Sequence, residues 1–107
     1  MAIYKYIELQ NKLANIIKEE ELYRTICKNI KEMRKIRYNE FKEMKLDNSI
    51  NPYTTENFAD LLNYDHTHYK RFESETDSTK RIPLIKIIMA SLILDVSIES
   101  LLKEQNK

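Results

Sequence analysis

The stretch Thr54–Ser74, TTENFADLLNYDHTHYKRFES, decides the fold of this chain. It predicts two short helices, because apolar residues recur at helical spacing in each half. These residues are Phe58, Ala59 and Leu62 in the first half, and Tyr69 and Phe72 in the second. Only Asn63 and Tyr64 separate the two patterns, so we expect a tight turn between the helices.

The residues around this turn are suited to ending one helix and starting the next. Thr54 and Asp65 precede the two patterns, and their side-chain oxygens can accept hydrogen bonds from free backbone amides at a helix start. Asn63 tolerates the left-handed conformation that commonly ends a helix. Two helices joined in this way form a helix-turn-helix, which presents its second helix to the major groove of DNA. The stretch therefore predicts nucleic-acid binding.

The composition predicts one all-α domain. The chain has 107 residues, 42% of them hydrophobic and 33% charged, which is typical of a globular domain with one core. Glycine is absent, which argues against glycine-dependent hairpin turns and against glycine-rich phosphate loops. The two prolines, Pro52 and Pro83, both lie between helical patterns, so they leave the helices uninterrupted.

Cysteine content and hydropathy predict a cytoplasmic location. Cys27 is the only cysteine, which excludes an internal disulfide, and its place between Ile26 and Ile30 predicts a buried thiol. Charged residues interrupt the apolar pattern of the N-terminal segment, so it lacks the apolar stretch of a secretory signal. The longest apolar run, near residues 87–94, is too short to span a bilayer. We therefore expect a reducing environment and no membrane partner.

Helical patterns also flank the central stretch. Residues 2–23 form an amphipathic pattern, for which three arrangements stay open: a helix packed on its own domain, a dimerisation arm, or a disordered segment. Residues 24–46 continue as a long helix, and residues 47–54 have the composition of a loop. Residues 84–94 are apolar nearly all round, which predicts either a central helix or one shared with a second subunit. Ser97 can cap a last helix over residues 98–103.

The order of these segments resembles the Cro/C1 repressor-type (XRE) family of DNA-binding domains. Its first three helices correspond to residues 26–35, 55–62 and 65–73. Pro83 followed by residues 87–94 resembles the fourth, and residues 95–102 resemble the turn into the fifth. The resemblance implies an all-α, five-helix, lambda-repressor-like domain over residues 25–107, preceded by a helical extension over residues 1–24. The chain departs from the family by an insertion at residues 38–52, between helices 1 and 2. It also carries Asn63 and Asp95 where the family commonly has glycine.

The resemblance also implies which side chains contact DNA. The residues that it implies for base contacts are His66, Thr67 and Arg71. Those for contacts with backbone phosphates are Thr55, Lys70, Ser74, Lys80 and Arg81. Helical geometry independently places the side chains at positions 66, 67, 70 and 71 away from the apolar face of their helix. The alternative is an ordinary solvated helix face. Arg34 and Glu73 match positions that form a buried ion pair in some family members, and they are surface charges otherwise.

The charge distribution gives only weak support for a nucleic-acid partner. The net charge is +1; residues 26–53 hold seven basic and four acidic residues, but residues 54–81 hold four basic and six acidic ones. Each phosphate contact contributes to affinity through counterion release, so a single subunit is expected to bind weakly. A homodimer would double its contacts.

Two classes of function follow from these observations. The first is a sequence-specific, double-stranded-DNA-binding transcriptional regulator, a repressor acting as a dimer. The second is a protein-interaction module of the same fold, an antagonist or antitoxin-like protein with a regulatory protein partner, that has lost operator binding. The slightly acidic central stretch, the insertion and the extension favour the second class.

The sequence offers no pattern typical of an enzyme or of a metal site. His66 and His68 lie about 200° apart around a helix, so they cannot chelate one ion together. Serine, histidine and aspartate are present, but no spacing places a nucleophile beside a base and an orienting group. We therefore expect no catalytic residues, no metal and no other cofactor.

Overall fold

The computed structural model describes residues 2–16, 18–46, 49–74 and 81–104, and all regular secondary structure in these ranges is helical. The helices are α1 (Ala2–Ala14), α2 (Glu19–Glu43), α3 (Thr55–Leu61), α4 (His66–Glu73), α5 (Leu84–Leu94) and α6 (Ile98–Leu102). This confirms the prediction of an all-α fold. Within the described ranges, no helix combines the length and the apolar character needed to cross a bilayer.

The first helix break lies earlier than the sequence predicted. The pattern predicted one helix over residues 2–23 and a second from residue 24, but α1 ends at Ala14 and α2 begins at Glu19. Glu19, Glu20 and Glu21 occupy the first turn of α2. Negative side chains are favourable there because the N-terminal end of a helix carries a partial positive charge. The acidic run therefore starts a helix rather than interrupting one.

The core lies between α2 and the four helices that follow. Helix α2 packs against α4, α5 and α6, α3 packs against α4, and α5 packs against α6. The largest side chains that are fully buried come from α2, α3, α4, α5, α6 and the segments next to them: Tyr69, Phe58, Ile26, Ile30, Leu62, Ile82, Leu94 and Leu101. Burial of each such side chain stabilises the fold by about 1.5–3 kcal/mol. One side of helix α5 thus lies in the core. This agrees with a central helix, which is one of the two arrangements that its apolar sequence left open.

Helix α1 stands apart from this core. It contacts no other helix in the described part of the chain, and residues 3–16 are all exposed. Of the three arrangements that the sequence left open for this segment, the structure shows a helix that is not packed on its own domain.

The segment that the resemblance assigns to an insertion is partly helical and partly held by hydrogen bonds. Residues 38–43, which the resemblance assigns to an insertion, continue α2 as its last turns. Further on, Asn51 Nδ2 donates to the Tyr38 carbonyl at 3.3 Å, and Asn57 Nδ2 donates to the Asn51 carbonyl at 2.9 Å. These bonds connect the end of the segment to both α2 and α3. The predicted loop over residues 47–54 includes positions 47–48, which lie outside the described residues.

Candidate nucleic-acid interface

Helices α3 and α4 are joined by a turn whose backbone bonds match the left-handed helix ending. Asn63 has φ 60°, its amide donates to the Asp60 carbonyl at 2.9 Å, and the Tyr64 amide donates to the Ala59 carbonyl at 2.9 Å. This pair of bonds is the Schellman arrangement, normally made with glycine. Asparagine is tolerated because its short polar side chain permits the left-handed region. The turn therefore forms without glycine, as the sequence predicted.

Side chains hold both helix starts and the turn. Thr54 Oγ1 accepts from the Asn57 amide at 3.1 Å, and Asp65 Oδ2 accepts from the His68 amide at 3.2 Å. Both predicted N-caps are thus present. From α5, Lys86 Nζ donates to the Leu62 carbonyl and lies 4.8 Å from the centre of the Tyr64 ring. This contact could not be predicted from the sequence, because it joins residues 24 positions apart.

Two aromatic side chains anchor α4 from behind. Tyr69 and Phe72 are both buried. The Tyr69 ring centre lies 5.5 Å from that of Phe58 on α3, and the Phe72 ring centre lies 5.3 Å from that of Tyr64 in the turn. Aromatic pairs at these distances add about 0.5–1.5 kcal/mol each beyond their burial. The inner face of α4 is therefore held against α3 and the turn. Helical geometry then determines which side chains of α4 point outward.

The outer face of α4 carries the base-contact and phosphate-contact candidates in an accessible form. Thr67, Lys70, Arg71 and Ser74 are exposed. No side-chain hydrogen bond or ion pair engages Thr67, Lys70 or Arg71 within the described part of the chain. Exposed donors without an internal partner keep their hydrogen-bonding capacity for a ligand. In the part of the chain that the structure describes, the segments before and after this stretch leave these side chains exposed.

His66 is placed differently, because it bonds to the start of α3. Its Nε2 lies 3.0 Å from Thr55 Oγ1, and its Nδ1 lies 3.9 Å from Glu56 Oε1. His66 and Thr55 are both half-buried. The structure thus brings together one predicted base contact and one predicted phosphate contact at the adjacent N-terminal ends of α3 and α4. Helical spacing predicted that His66 lies away from the apolar face of its helix, but it did not predict the bond to Thr55.

Of the two remaining phosphate candidates, the structure describes only Arg81, which contacts α2. Arg81 Nε lies 3.3 Å from Glu19 Oε1, and its guanidinium lies 5.3 Å from the centre of the Tyr23 ring. Both partners belong to α2. Lys80 lies outside the described residues.

A buried polar network fixes α4 against α2. Arg34 Nε donates to Glu73 Oε2 at 2.7 Å, and Arg34 Nη2 donates to Glu73 Oε1 at 2.9 Å. The side chains of this pair are only 8% and 10% exposed. The Tyr69 hydroxyl also donates to Glu73 Oε2, and Arg34 Nη1 donates to the Tyr53 carbonyl at 2.9 Å. The network therefore joins α2, α4 and the segment before α3.

The network also shifts the titration of its members. Burial opposes the charge of Arg34, but the hydrogen bond and the negative charge of Glu73 outweigh it and raise the pKa of Arg34. Burial, followed by the charge of Glu73, raises the pKa of Tyr69 well above its usual value. Both pKa shifts favour the protonated forms of Arg34 and Tyr69, which are the forms that donate hydrogen bonds to Glu73. The sequence predicted the ion pair but missed Tyr69, although Tyr69 and Glu73 lie four residues apart on one helix face.

No protein-family model, curated protein or solved structure matches this chain. The geometry of α3 and α4 is therefore the main guide to function. The described residues hold no group of three or more His, Cys, Asp or Glu side chains that could bind a metal ion. What the site offers is a rigidly anchored helix with exposed hydroxyl, ammonium and guanidinium donors.

Proposed function

We propose that this chain is a sequence-specific, double-stranded-DNA-binding transcriptional regulator of the Cro/C1 repressor type, a repressor that acts as a dimer. In this proposal, α2 to α6 form the five-helix lambda-repressor-like domain and α1 is an extension. The observation that supports it best is the outer face of α4. That face exposes Thr67, Lys70 and Arg71, while buried aromatic rings and the Arg34–Glu73 pair hold the helix from behind.

In the proposed complex, α4 enters the major groove. An arginine at the position of Arg71 can bond both acceptors of a guanine, and a threonine at the position of Thr67 can contact a thymine methyl group. The bond between His66 and Thr55 holds the imidazole at the N-terminal end of α4, where base edges are read in helix-turn-helix proteins. Lys70 and Ser74 contact phosphates. Two subunits then read half-sites about 34–36 Å apart.

The test is selection of bound sequences from random duplex DNA at several salt concentrations. We expect one enriched motif and an affinity that falls as salt rises. Arg71→Ala is expected to relax the preference at one base pair, at a cost of about 1–3 kcal/mol. Lys70→Ala is expected to weaken binding to all sequences alike. Lys28→Ala, an exposed lysine on α2, is the matched control and should leave the motif and affinity unchanged. Failure of every sequence to be enriched over random duplex would contradict the proposal.

A second candidate is the protein-interaction module that has lost operator binding. Exposed acids lie on the same helix-turn-helix: Glu56 and Asp60 are on α3, and Asp65 precedes α4. Glu56 Oε1 lies close to His66 Nδ1, where a phosphate would be repelled by its charge. Purification separates the candidates. A stoichiometric protein partner, together with no enriched DNA motif, would favour the interaction module.

A further inference from the structure

Helix α1 has an apolar side and a polar side, and neither is covered by the described chain. At 100° per residue, its apolar side carries what we call the α1 stripe: Ile3, Tyr6, Ile7, Leu9 and Leu13. These residues are 65%, 64%, 47%, 45% and 65% exposed. On the opposite side, Glu8 pairs with Lys5 at 3.3 Å and with Lys12 at 3.8 Å. The ion pairs leave the α1 stripe free of charge.

Helix α5 presents a second apolar surface to solvent. Its inner side packs into the core through Ile87, Ala90 and Leu94. Its outer side carries what we call the α5 stripe: Leu84, Ile85 and Leu92, which are 67%, 58% and 76% exposed. The single charged residue of α5, Lys86, turns away to bond the Leu62 carbonyl. The α5 stripe is therefore also uncharged.

The areas of the two stripes indicate which pairing between two copies of the chain buries the most apolar surface. With about 200 Å² for the full surface of a large apolar residue, the α1 stripe exposes roughly 550 Å² and the α5 stripe roughly 400 Å². Pairing two α1 stripes buries roughly 1,100 Å² of apolar surface, and pairing two α5 stripes roughly 800 Å²; stable dimers bury about 1,200–2,000 Å² of apolar and polar surface together. Burying both stripes of both copies removes roughly 1,900 Å². A dimer that covers both stripes therefore lies within this range on its apolar surface alone, and it leaves neither stripe exposed to water.

We propose that two copies of this chain exchange their α1 helices, so that the α1 stripe of each copy packs on the α5 stripe of the other. The lengths agree, because thirteen residues of α1 span about 20 Å and eleven residues of α5 about 16 Å. The bond between Arg81 and Glu19 places the start of α2, the helix that follows α1, beside the segment that leads into α5. A two-fold axis near this point brings each α1 to the α5 stripe of its partner.

The exchange also supplies the stability that α1 lacks alone. Isolated helices shorter than about 12–15 residues are marginal in water, and α1 has 13 residues and no contact with another helix in the described chain. Docking on a partner provides the tertiary packing that stabilises most protein helices. The inference goes beyond DNA binding and does not depend on it, because it concerns only the association of two copies.

The test is sedimentation equilibrium of the full chain and of two exposed-site variants, without DNA. Wild type is expected to be a dimer. Leu13→Asp on the α1 stripe and Leu92→Asp on the α5 stripe should each raise the dimer dissociation constant at least 100-fold, because each removes an apolar contact twice per dimer. Tyr4→Asp, on the polar side of α1, is the matched control and should remain dimeric. Far-ultraviolet circular dichroism checks that every variant is folded.

Mixing the two variants distinguishes exchange from other dimers. An equimolar mixture of Leu13→Asp and Leu92→Asp should dimerise more strongly than either variant alone, because one intact α1 then meets one intact α5 stripe, whereas both contacts in a dimer of a single variant carry an aspartate. Pairing of α1 with α1 would leave Leu92→Asp dimeric, and pairing of α5 with α5 would leave Leu13→Asp dimeric; either result overturns the proposal. A monomeric wild type, as expected if α1 folds back on its own α5, also overturns it.

Discussion

Glu73 accepts two hydrogen bonds from Arg34 and one from Tyr69 in a place nearly closed to water. Its removal strands the buried charge of Arg34. We expect Glu73→Ala to lower the free energy of unfolding by about 3–5 kcal/mol, as measured by urea denaturation. Glu43→Ala, at an exposed glutamate, is the control and should change it by no more than about 0.5 kcal/mol. Equal effects of the two substitutions would show that the pair contributes no more than a surface charge.

Cys27 is a second residue whose environment has a measurable consequence. Burial, followed by the negative charge of Glu73, raises the pKa of the Cys27 thiol from 9.0 to about 11. A raised pKa in the folded state means that its contribution to stability is complete below pH 9 and is lost as pH rises through 11. The stability of wild type relative to Cys27→Ala should therefore fall by about 1.4 kcal/mol per pH unit between these values. Urea denaturation at a series of pH values measures it, and a difference independent of pH would contradict it.

At the scale of single elements, the ends of α3 and α5 show how a chain without glycine closes its helices. Asp95 has φ 55°, its amide donates to the Leu92 carbonyl at 3.4 Å, and the Val96 amide donates to the Ser91 carbonyl at 3.0 Å. Asp95 thus takes the left-handed position that Asn63 takes after α3. Its negative charge is unfavourable there, because the C-terminal end of a helix is partly negative. Arg37 Nε, which donates to the Leu94 carbonyl at 2.8 Å, offsets part of that charge.

This geometry predicts that Asp95→Gly stabilises the protein. Glycine adopts the left-handed region without a steric cost, and the substitution also removes the charge, so we expect a gain of about 0.5–1.5 kcal/mol in unfolding free energy. Asp95→Asn isolates the charge term, since asparagine tolerates the same conformation, and should give a smaller gain that fades at high salt. Thermal denaturation measures both. A loss of stability in Asp95→Gly would show that the aspartate side chain has a favourable role.

The same elements show which features are readable from sequence. Thr54, Asp65 and Ser97 mark helix starts by local hydrogen bonding, so α3, α4 and α6 begin within one residue of their predicted positions. The break before Glu19 was missed because neither glycine nor proline marks it. The exposure of Thr67, Lys70 and Arg71 follows from helical period alone. The bond of His66 to Thr55 and that of Arg81 to Glu19 join separate elements, so only tertiary structure reveals them.

At the scale of the whole molecule, the core and α1 contribute to stability in different ways. The core side chains come from α2 to α6 and the segments between them, and α1 adds none of them. The stability of an isolated copy should therefore be independent of the α1 stripe. In the exchanged dimer, α1 adds stability only through association, and stability gained by association depends on protein concentration.

Thermal denaturation over a range of protein concentrations tests whether α1 stabilises only the dimer. The Tm of wild type should rise by a few degrees for each tenfold increase in concentration, because mass action favours the folded dimer. The Tm of Leu13→Asp should stay constant and should meet that of wild type at the lowest concentration, where both are monomers. Tyr4→Asp should follow wild type throughout. A Leu13→Asp variant that is less stable than wild type even at the lowest concentration would place α1 in the fold of the monomer, because only an intrachain contact lowers stability without regard to concentration.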